Sequence, residues 1–201
     1  PLPQSSIRHV DMTSLHVMVL LRGVHIEDEP KILSWRNSPE VATFMYRDDP
    51  ISPAEHSRWF TSIVNDTESS VVRVLEHNSV ASGLSSLSRI DLRHKSCEWG
   101  GYLAPDIDRG GGIGRAMLFL ALQQTFEELE LNRVVVEVLV GNQKALKLYE
   151  SIGFVREGYL RERAWHTSGP KDVISLSMLL KEWMNIEEST RLDLINRGLM
   201  S

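Results

Sequence analysis

The spacing of apolar residues along the chain changes several times, and each change marks a predicted element. Short apolar or alternating runs predict strands over residues 17–21, 71–76, 81–89, 96–103, 133–140, 154–164 and 173–179. Stretches with a spacing of about 3.6 residues predict helices over residues 29–36, 39–44, 53–64, 113–129 and 143–151, followed by an amphipathic helical tail from Lys181. The chain therefore combines helices with a three-strand antiparallel meander.

Three local signals mark the ends and the burial of these elements. Ser52-Pro-Ala-Glu is a capping box with proline at the first helical position, so a helix begins there. Gly153 follows the predicted helix 143–151 and suits the left-handed conformation that ends a helix. The β-branched run in residues 133–140 predicts a central strand that is covered on both faces.

Three consecutive glycines and a fourth just beyond them lie in the segment Asp108 to Arg115, between a strand and an apolar helix. Glycine lets main-chain N–H groups approach an anion closely. The first turn of the following helix adds unpaired donors and the positive end of the helix dipole. The pattern predicts a phosphate-binding loop, with the diphosphate of a nucleotide or a coenzyme as its ligand.

Composition limits the classes of function. The chain has 201 residues, 42% hydrophobic and 24% charged, as expected of one globular domain with extended ends. No apolar run approaches the roughly 20 residues that cross a bilayer, and residues 1–9 lack a signal-peptide pattern, so we expect a cytoplasmic protein without membrane contact. The net charge of −5 disfavours nucleic acid as a partner. The single cysteine, Cys97, excludes an intrachain disulfide and argues against a metal site.

Two motifs occur in register with these elements. Residues Arg109 to Gly114 fit RxxGxG, and residues Asn142 to Phe154 fit NxxAxxLYxxxGF. On these residues the chain resembles the GNAT superfamily of acyl-CoA N-acyltransferases over about residues 16–180. The resemblance implies an α/β (α+β) GNAT fold, with a mixed central sheet of about seven strands flanked by helices on both faces. It leaves residues 1–15 as an N-terminal extension and residues 181–201 as a C-terminal helical tail.

The resemblance also implies that acetyl-CoA is the co-substrate, with its diphosphate on the glycine loop. The implied coenzyme contacts come from the loop and from the beginnings of two helices: Arg109, Gly110, Gly111, Gly112, Ile113, Gly114, Arg115, Asn142 and Lys144. Members of the family commonly place a tyrosine at the position of Tyr149, where its hydroxyl protonates the departing thiolate. The alternative interpretation of Tyr149 is a buried structural aromatic.

Two glutamates compete for the role of general base. An ammonium ion has no lone pair, so a carboxylate must take a proton from the acceptor amine, directly or through water. Glu137 interrupts an apolar run, and Glu98 lies in the strand before the glycine loop. By resemblance to ribosomal-protein and amino-sugar N-acetyltransferases we prefer Glu137, with Glu98 second. Either carboxylate would also serve simply to pair with an arginine.

A narrower resemblance concerns the acceptor. Ile32-Leu-Ser-Trp-Arg-Asn-Ser-Pro-Glu-Val, Phe44-Met-Tyr and Pro53-Ala-Glu-His-Ser-Arg-Trp-Phe look like the N-acetyltransferases of pseudaminic acid biosynthesis. Those bacterial enzymes of flagellin glycosylation acetylate the 4-amino group of UDP-4-amino-4,6-dideoxy-N-acetyl-β-L-altrosamine. The implied contacts with this UDP-amino-sugar combine donors for a diphosphate with an aromatic face: Arg36, His56, Ser88, Arg89 and Tyr102.

The sequence leaves other interpretations open. A ribosomal-protein-type N-terminal acetyltransferase shares both motifs and acts on a peptide α-amine. A polyamine or aminoglycoside acceptor demands a strongly acidic pocket, for which Asp48, Asp49 and Asp91 are few. A non-catalytic acyl-CoA-binding regulator would keep the loop without the chemistry. The tail after Lys181 is compatible with packing on the domain, with a homodimer contact or with mobility.

Overall fold

The structure is a computed structural model that describes residues 19–65, 69–107 and 110–201. The described strands are β1 (Val19–Gly23), β2 (Val71–His77), β3 (Val80–Asp91), β4 (Ser96–Leu103), β5 (Arg133–Leu139), β6 (Val155–His166) and β7 (Gly169–Leu179). The described helices are α1 (Glu29–Arg36), α2 (Pro39–Ala42), α3 (Pro53–Asn65), α4 (Ile113–Gln123), α5 (Gln143–Ile152) and α6 (Leu180–Asn196). The predicted extension over residues 1–15 lies outside the described residues, as do Asp108 and Arg109.

The seven described strands form one mixed sheet with the order β1-β2-β3-β4-β5-β7-β6. Strands β1 to β4 are the antiparallel meander, and β5, β7 and β6 form a second antiparallel group. The two groups meet at β4 and β5, which run parallel. The predicted fold class, a mixed sheet of about seven strands with helices on both faces, is confirmed.

The junction between β4 and β5 is incomplete. The two strands pair over Ser96–Glu98 and Arg133–Val135 and then separate. Past this point β4 still runs to Leu103 beside β3, and β5 runs to Leu139 beside β7. The facing edges of β4 and β5 therefore carry backbone N–H and C=O groups that no neighbouring strand satisfies.

Alternation along β5 assigns the two faces of the sheet. The alternate valines from Val134 to Val138 lie in a core shared with α4, α5 and α6. Glu137 lies between them in sequence and so points to the opposite face. That face is covered by α1 and α3, where Ile32 and Phe60 pack with Leu84 of β3.

An ion-pair network fixes the beginning of α1. Arg22 of β1 donates to the two carboxylate oxygens of Asp28 at 2.7 and 2.9 Å and to Glu76 of β2 at 2.8 Å. Asp28 is 6% exposed and also accepts from the His25 N–H at 2.8 Å. The Arg22 guanidinium holds the pKa of Asp28 below its ordinary value. The network thus ties α1 to the edge of the meander.

The C-terminal tail packs on the rest of the structure. Trp183 of α6 lies against Phe119 of α4, with ring centroids 5.2 Å apart, and Leu194 is fully buried. Beyond α6, the Leu199 carbonyl accepts a hydrogen bond from the Val19 N–H at 3.0 Å. The sequence left three possibilities for the tail, and the structure shows the first of them, packing on the domain.

The helix predicted over residues 113–129 is not α-helical throughout. After α4 it continues as a single π turn, Gln124–Glu128. The buried Thr125 hydroxyl donates to the Ala121 carbonyl at 2.8 Å. A hydroxyl that bonds one turn back competes with the regular backbone pattern and favours such a departure.

The final strand pair is longer than predicted. Strands β6 and β7 extend to a two-residue turn at positions 167–168, where the sequence predicted a longer loop. Gly169 follows the turn with φ of 106°, a left-handed conformation that suits glycine and permits the tight reversal. Helix α2 is shorter than predicted and ends at Ala42.

Candidate active site

The separation of β4 and β5 creates a cleft with hydrogen-bonding edges. From Trp99 to Leu103 on β4 and from Val136 to Leu139 on β5, the facing backbone groups have no partner strand among the described residues. An extended ligand with amide groups can pair with such edges as a strand would. The glycine loop follows β4 directly, so the phosphate end of such a ligand would meet the loop.

The loop leads into α4 as the sequence predicts. Gly112 has φ of 89° and stands at the N-cap of the helix, a left-handed position that favours glycine. A methyl group at Gly111 would meet no heavy atom within 4 Å, so the backbone is open on that side. Ile113 is 5% exposed and anchors the helix start in the core. Residues 111–114 thus place main-chain N–H groups and the positive end of the α4 dipole where an anion can meet them, and Gly110 lies just before them.

Arg115 lies in the first turn of α4 and is held on two sides. Its Nη1 donates to the Ser151 hydroxyl at 3.1 Å, and its Nε lies 3.4 Å from an Asp193 carboxylate oxygen. The structure therefore places a guanidinium beside the loop, and its contact with the coenzyme stays a prediction. Arg109, the other predicted cation of the loop, lies outside the described residues.

Asn142 and Lys144 lie at the beginning of α5, the helix that carries Tyr149. The Asn142 side-chain oxygen accepts from the Ala145 N–H at 3.2 Å and so caps the helix. Lys144 is exposed in the first turn. The contacts of both residues with the coenzyme stay predictions.

Tyr149 is buried at the point where the cleft opens. Its ring packs edge-on against Trp99, with centroids 6.0 Å apart, and against Phe154 at 5.7 Å. Trp99 is the first residue of β4 past the last β4–β5 pair. Burial raises the pKa of the Tyr149 hydroxyl above its ordinary value. The hydroxyl therefore stays protonated at neutral pH and keeps a proton to donate.

Glu98 is the last residue of β4 that pairs with β5. It lies opposite Ser88 of β3, and its carboxylate accepts from Arg89 Nη1 at 2.8 Å. Arg89 adopts φ of 49° at an irregularity in β3, and its side chain is 68% exposed. The structure thus brings Glu98, Ser88 and Arg89 together at one edge of the cleft.

Glu137 lies two residues past the last β4–β5 pair, on the same face as Glu98. Its carboxylate accepts a hydrogen bond from the Tyr46 hydroxyl and lies 3.7 Å from Nε of Arg163. The Arg163 guanidinium is also 5.6 Å from the centroid of the Tyr46 ring. Three distant parts of the chain therefore meet at this carboxylate.

The connection between α2 and α3 is anchored to the β6–β7 hairpin. Asp48 accepts from the Thr167 N–H at 2.9 Å and from its hydroxyl at 2.8 Å. On the same side, His166 Nε2 lies 2.7 Å from the Met45 carbonyl oxygen. Tyr46 lies between these anchors in sequence. The connection therefore covers the face of the sheet near Glu137 and limits access to it.

Arg36 ends α1 as a partly satisfied, half-buried cation. Its Nη2 donates to the Arg47 carbonyl at 2.6 Å, whereas its Nη1 is buried without a hydrogen-bond partner in the described part of the chain. Burial lowers the pKa of the guanidinium, which still remains charged in a protein. Tyr102 interacts electrostatically with Arg36, and burial raises the pKa of Tyr102. A buried donor without a partner is unfavourable unless water or a ligand supplies one.

His56 lies in the interface between α1 and α3. Its ring is 2% exposed and packs on Trp59, with centroids 5.1 Å apart, and on Phe60 at 6.1 Å. Its Nδ1 is 3.9 Å from a Glu29 carboxylate oxygen. Burial lowers the pKa of His56, so the ring is neutral at pH 7. These surroundings are those of a helix-packing residue, and a contact with the substrate stays a prediction.

A cavity of about 560 Å³ lies between the anchored connection and the end of β5. Its polar lining includes Asn37, Thr43, Asp48, His166, Ser168 and Lys171. Cavities of this size hold small-molecule ligands. The cavity begins at Leu139, two residues beyond Glu137 on the same face of β5. None of the five predicted acceptor contacts lines it, so the structure does not bring them together with this cavity: Arg36, His56, Ser88, Arg89 and Tyr102.

Two residues of this site were missed by sequence reasoning. Tyr46 belongs to Phe44-Met-Tyr, a segment that carries the resemblance to amino-sugar acetyltransferases, so a signal for it was present. Arg163 lies among several charged residues of an edge strand, and nothing in the pattern distinguishes it. Its role emerges only from the contact with Glu137.

This fold and this cleft can be compared with known proteins. A family model for the acetyltransferase (GNAT) domain matches residues 18–155. The match covers more than half of the chain and includes β4, the glycine loop, α4, β5 and α5. The chain belongs to the GNAT acetyltransferase family.

Three relatives illustrate the range of acceptors within it. One is spermidine N-acetyltransferase from Vibrio cholerae, whose structure is in complex with CoA and spermine. Its sequence is 28% identical, the TM-score is 0.77, and the match covers 84% of this chain and 99% of that chain. YdaF of Bacillus subtilis, described as a candidate ribosomal N-acetyltransferase, is 36% identical over 101 residues, 50% of this chain and 55% of YdaF. The acetyltransferase PseH of Campylobacter jejuni is 28% identical over 123 residues, 61% of this chain and 74% of PseH.

This GNAT chain is an acetyl-CoA-dependent N-acetyltransferase. The V. cholerae relative binds CoA, and the open cleft, the loop and the capped α5 of this chain fit the same molecule. Within the ranges that the structure describes, no group of three or more His, Cys, Asp or Glu residues is arranged to hold a metal ion. No helix in these ranges has both the length and the apolar character needed to cross a bilayer.

We expect Tyr149→Phe to lower kcat about 100-fold and to leave KM for acetyl-CoA within about threefold, because it removes the acidic proton and keeps the buried ring. Release of free thiol measures both constants. Tyr159→Phe, at an exposed position of β6, is the matched control and should keep the wild-type rate. Because its pKa is raised, Tyr149 should cause no loss of rate up to a pH of about 10. An unchanged kcat in Tyr149→Phe contradicts the assignment.

Proposed function

We propose that the enzyme acetylates the 4-amino group of UDP-4-amino-4,6-dideoxy-N-acetyl-β-L-altrosamine, in pseudaminic acid biosynthesis. The observation that supports this acceptor most is the half-buried Arg36 guanidinium, whose buried Nη1 has no hydrogen-bond partner in the described residues. A diphosphate supplies the oxygen acceptors that such a group lacks. A polyamine would instead add positive charge beside it.

Other predicted contacts are proposed to serve the same ligand. Arg89 uses one nitrogen for Glu98 and keeps further donors for a phosphate. Ser88 adds a hydroxyl on the same edge, and Tyr102 adds an aromatic ring beside Arg36. His56 contributes least to the proposal, because its ring is 2% exposed.

Spermidine is the second candidate acceptor, because the V. cholerae spermidine enzyme matches 84% of this chain. Binding of a polyamine requires carboxylates that are not already neutralised. Here Asp49 and Glu55 both pair with Arg47, at 2.6 and 2.5 Å. Glu137 lies beside Arg163. The pairing of these acids favours an acceptor that brings its own negative charge.

In the proposed mechanism Glu137 takes a proton from the acceptor amine, and Tyr149 protonates the sulfur that leaves. The neutral amine attacks the thioester carbonyl directly, and the C–S bond then breaks as Tyr149 gives its proton to the sulfur. The nitrogen loses its extra proton to give the amide, and this proton returns through water to the Tyr149 oxygen. Tyr46 and Arg163 hold the Glu137 carboxylate near the cleft. Because the Tyr46 hydroxyl already bonds to this carboxylate, the incoming amine or its bridging water exchanges with that hydroxyl.

Turnover with three amines tests the acceptor. Purified protein and acetyl-CoA are mixed with the UDP-amino-sugar, with spermidine or with a peptide that has a free N-terminal amine, and free thiol is measured. We expect kcat/KM for the UDP-amino-sugar to exceed the other two values by about 100-fold or more, since a buried polar site rejects ligands that leave it unpaired. A higher value for spermidine or for the peptide contradicts the proposal.

The Arg36→Gln variant links that preference to the site. It should raise KM for the UDP-amino-sugar about tenfold, through loss of one charge-assisted hydrogen bond, and should not impair turnover of spermidine. Arg47→Gln is the matched control, because the side chain of Arg47 is exposed and already paired with Asp49 and Glu55. Equal losses for both acceptors would assign Arg36 to the fold and not to the ligand.

The choice of general base has its own test. We expect Glu137→Gln to lower kcat about 100-fold and Glu98→Gln to lower it less than about fivefold, because only the first loses the proton acceptor of the reaction. Both variants remove one negative charge beside an arginine, so each controls for the other. Initial rates at saturating acetyl-CoA give the comparison. A larger loss in Glu98→Gln reverses the assignment.

A further inference from the structure

The C-terminal tail brings charged side chains to the glycine loop. Two contacts show that helix α6 runs antiparallel to α4. Trp183 near the start of α6 packs on Phe119 in the second half of α4. Near its end, Asp193 lies 3.4 Å from Arg115 in the first turn of α4. These tail residues lie beyond residues 18–155, which match the family domain.

Arg197 lies directly beside the backbone of the loop. A methyl group at Gly112 would be 3.8 Å from Arg197 Nη1 and 3.1 Å from Leu199 Cδ1. Leu199 is 4% exposed, and its carbonyl bonds to the Val19 N–H, so the backbone of this segment is fixed. The guanidinium is therefore held next to the turn that binds phosphate.

Positive charge exceeds negative charge where the tail meets the glycine loop. Asp193 accepts from Arg197 Nε at 2.9 and 3.0 Å and is also the ion-pair partner of Arg115. One carboxylate thus serves two guanidinium groups, and the first turn of α4 adds partial positive charge. The buried Arg115 Nε lies 3.4 Å from this same carboxylate without a hydrogen bond in the described ranges, so Asp193 neutralises Arg115 only in part. This surplus of donors and positive charge suits a phosphate.

We propose that Arg197 binds a phosphate group of coenzyme A, together with Arg115 and the main-chain N–H groups of residues 111–114. Asp193 positions both guanidinium groups before the coenzyme binds. Arg197 contacts this carboxylate through Nε, which leaves its terminal nitrogens for a ligand, and Nη1 lies beside Gly112 of the loop. The tail thereby adds a cation to a site that the rest of the family domain builds from its loop. This inference concerns the acetyl donor and is independent of the acceptor proposed above.

Calorimetric titration with CoA tests the inference without turnover. Arg197→Gln should weaken binding about tenfold at low ionic strength, the effect of one charge-assisted hydrogen bond at a half-exposed position. Arg191→Gln is the matched control. It removes the same charge from the same tail, within α6, whereas Arg197 caps the end of that helix. Arg191 pairs with Glu187 and not with the loop. Its affinity for CoA should stay within about twofold of wild type. Thermal unfolding of each variant verifies that it folds.

The diphosphate and the 3′-phosphate of CoA offer the same chemistry, and titration with 3′-dephospho-CoA separates them. A loss of affinity in Arg197→Gln for both ligands supports contact with the diphosphate. A loss for CoA alone supports contact with the 3′-phosphate. Affinity for CoA within about twofold of wild type overturns the proposal, and so does an equal loss in Arg191→Gln.

Discussion

The short pairing between β4 and β5 is the constraint on which the rest of the site depends. Hydrogen bonds join the strands over three positions and then stop, although each strand continues beside its other neighbour. The unpaired edges form the cleft, and the two candidate bases lie where it begins. Glu98 is in the last pair, and Glu137 is two residues beyond it. Tyr149 meets the same point from the other face through Trp99. Donor and acceptor chemistry therefore converge at one opening in the sheet.

Ion pairing sets the chemistry of the acceptor side. Each of the two candidate bases has an arginine beside it, Arg89 for Glu98 and Arg163 for Glu137, so neither is an isolated negative charge. Arg36 forms no hydrogen bond with a carboxylate in the described ranges, although Asp49 and Glu55 interact with it electrostatically. On this face of the sheet the acids are paired with arginines, whereas the half-buried Arg36 keeps an unsatisfied donor. Such a face favours an acceptor that carries phosphate. The connection between α2 and α3 covers Glu137 and therefore limits the route by which that acceptor enters.

Much of the fold could be predicted because its signals are local. The helix over 29–36 and the strand over 96–103 have the predicted bounds, since proline, capping residues and alternation act within a few positions. The partners of Glu137 could not be predicted in this way. Tyr46 contacts it across 91 positions of sequence, and periodicity carries no information about such contacts. The tail shows the same limit of sequence patterns. Its helix was predicted, but the position of Arg197 beside the loop was not.

The sequence pattern did not predict the cleft, because both strands remain regular where they separate. A crystal structure with bound CoA therefore tests the account most directly. The account predicts the pantetheine arm between residues 99–103 of β4 and 136–139 of β5, with its sulfur within about 3.5 Å of the Tyr149 hydroxyl. Coenzyme bound elsewhere, or β4 and β5 paired along their full length with coenzyme present, would contradict it.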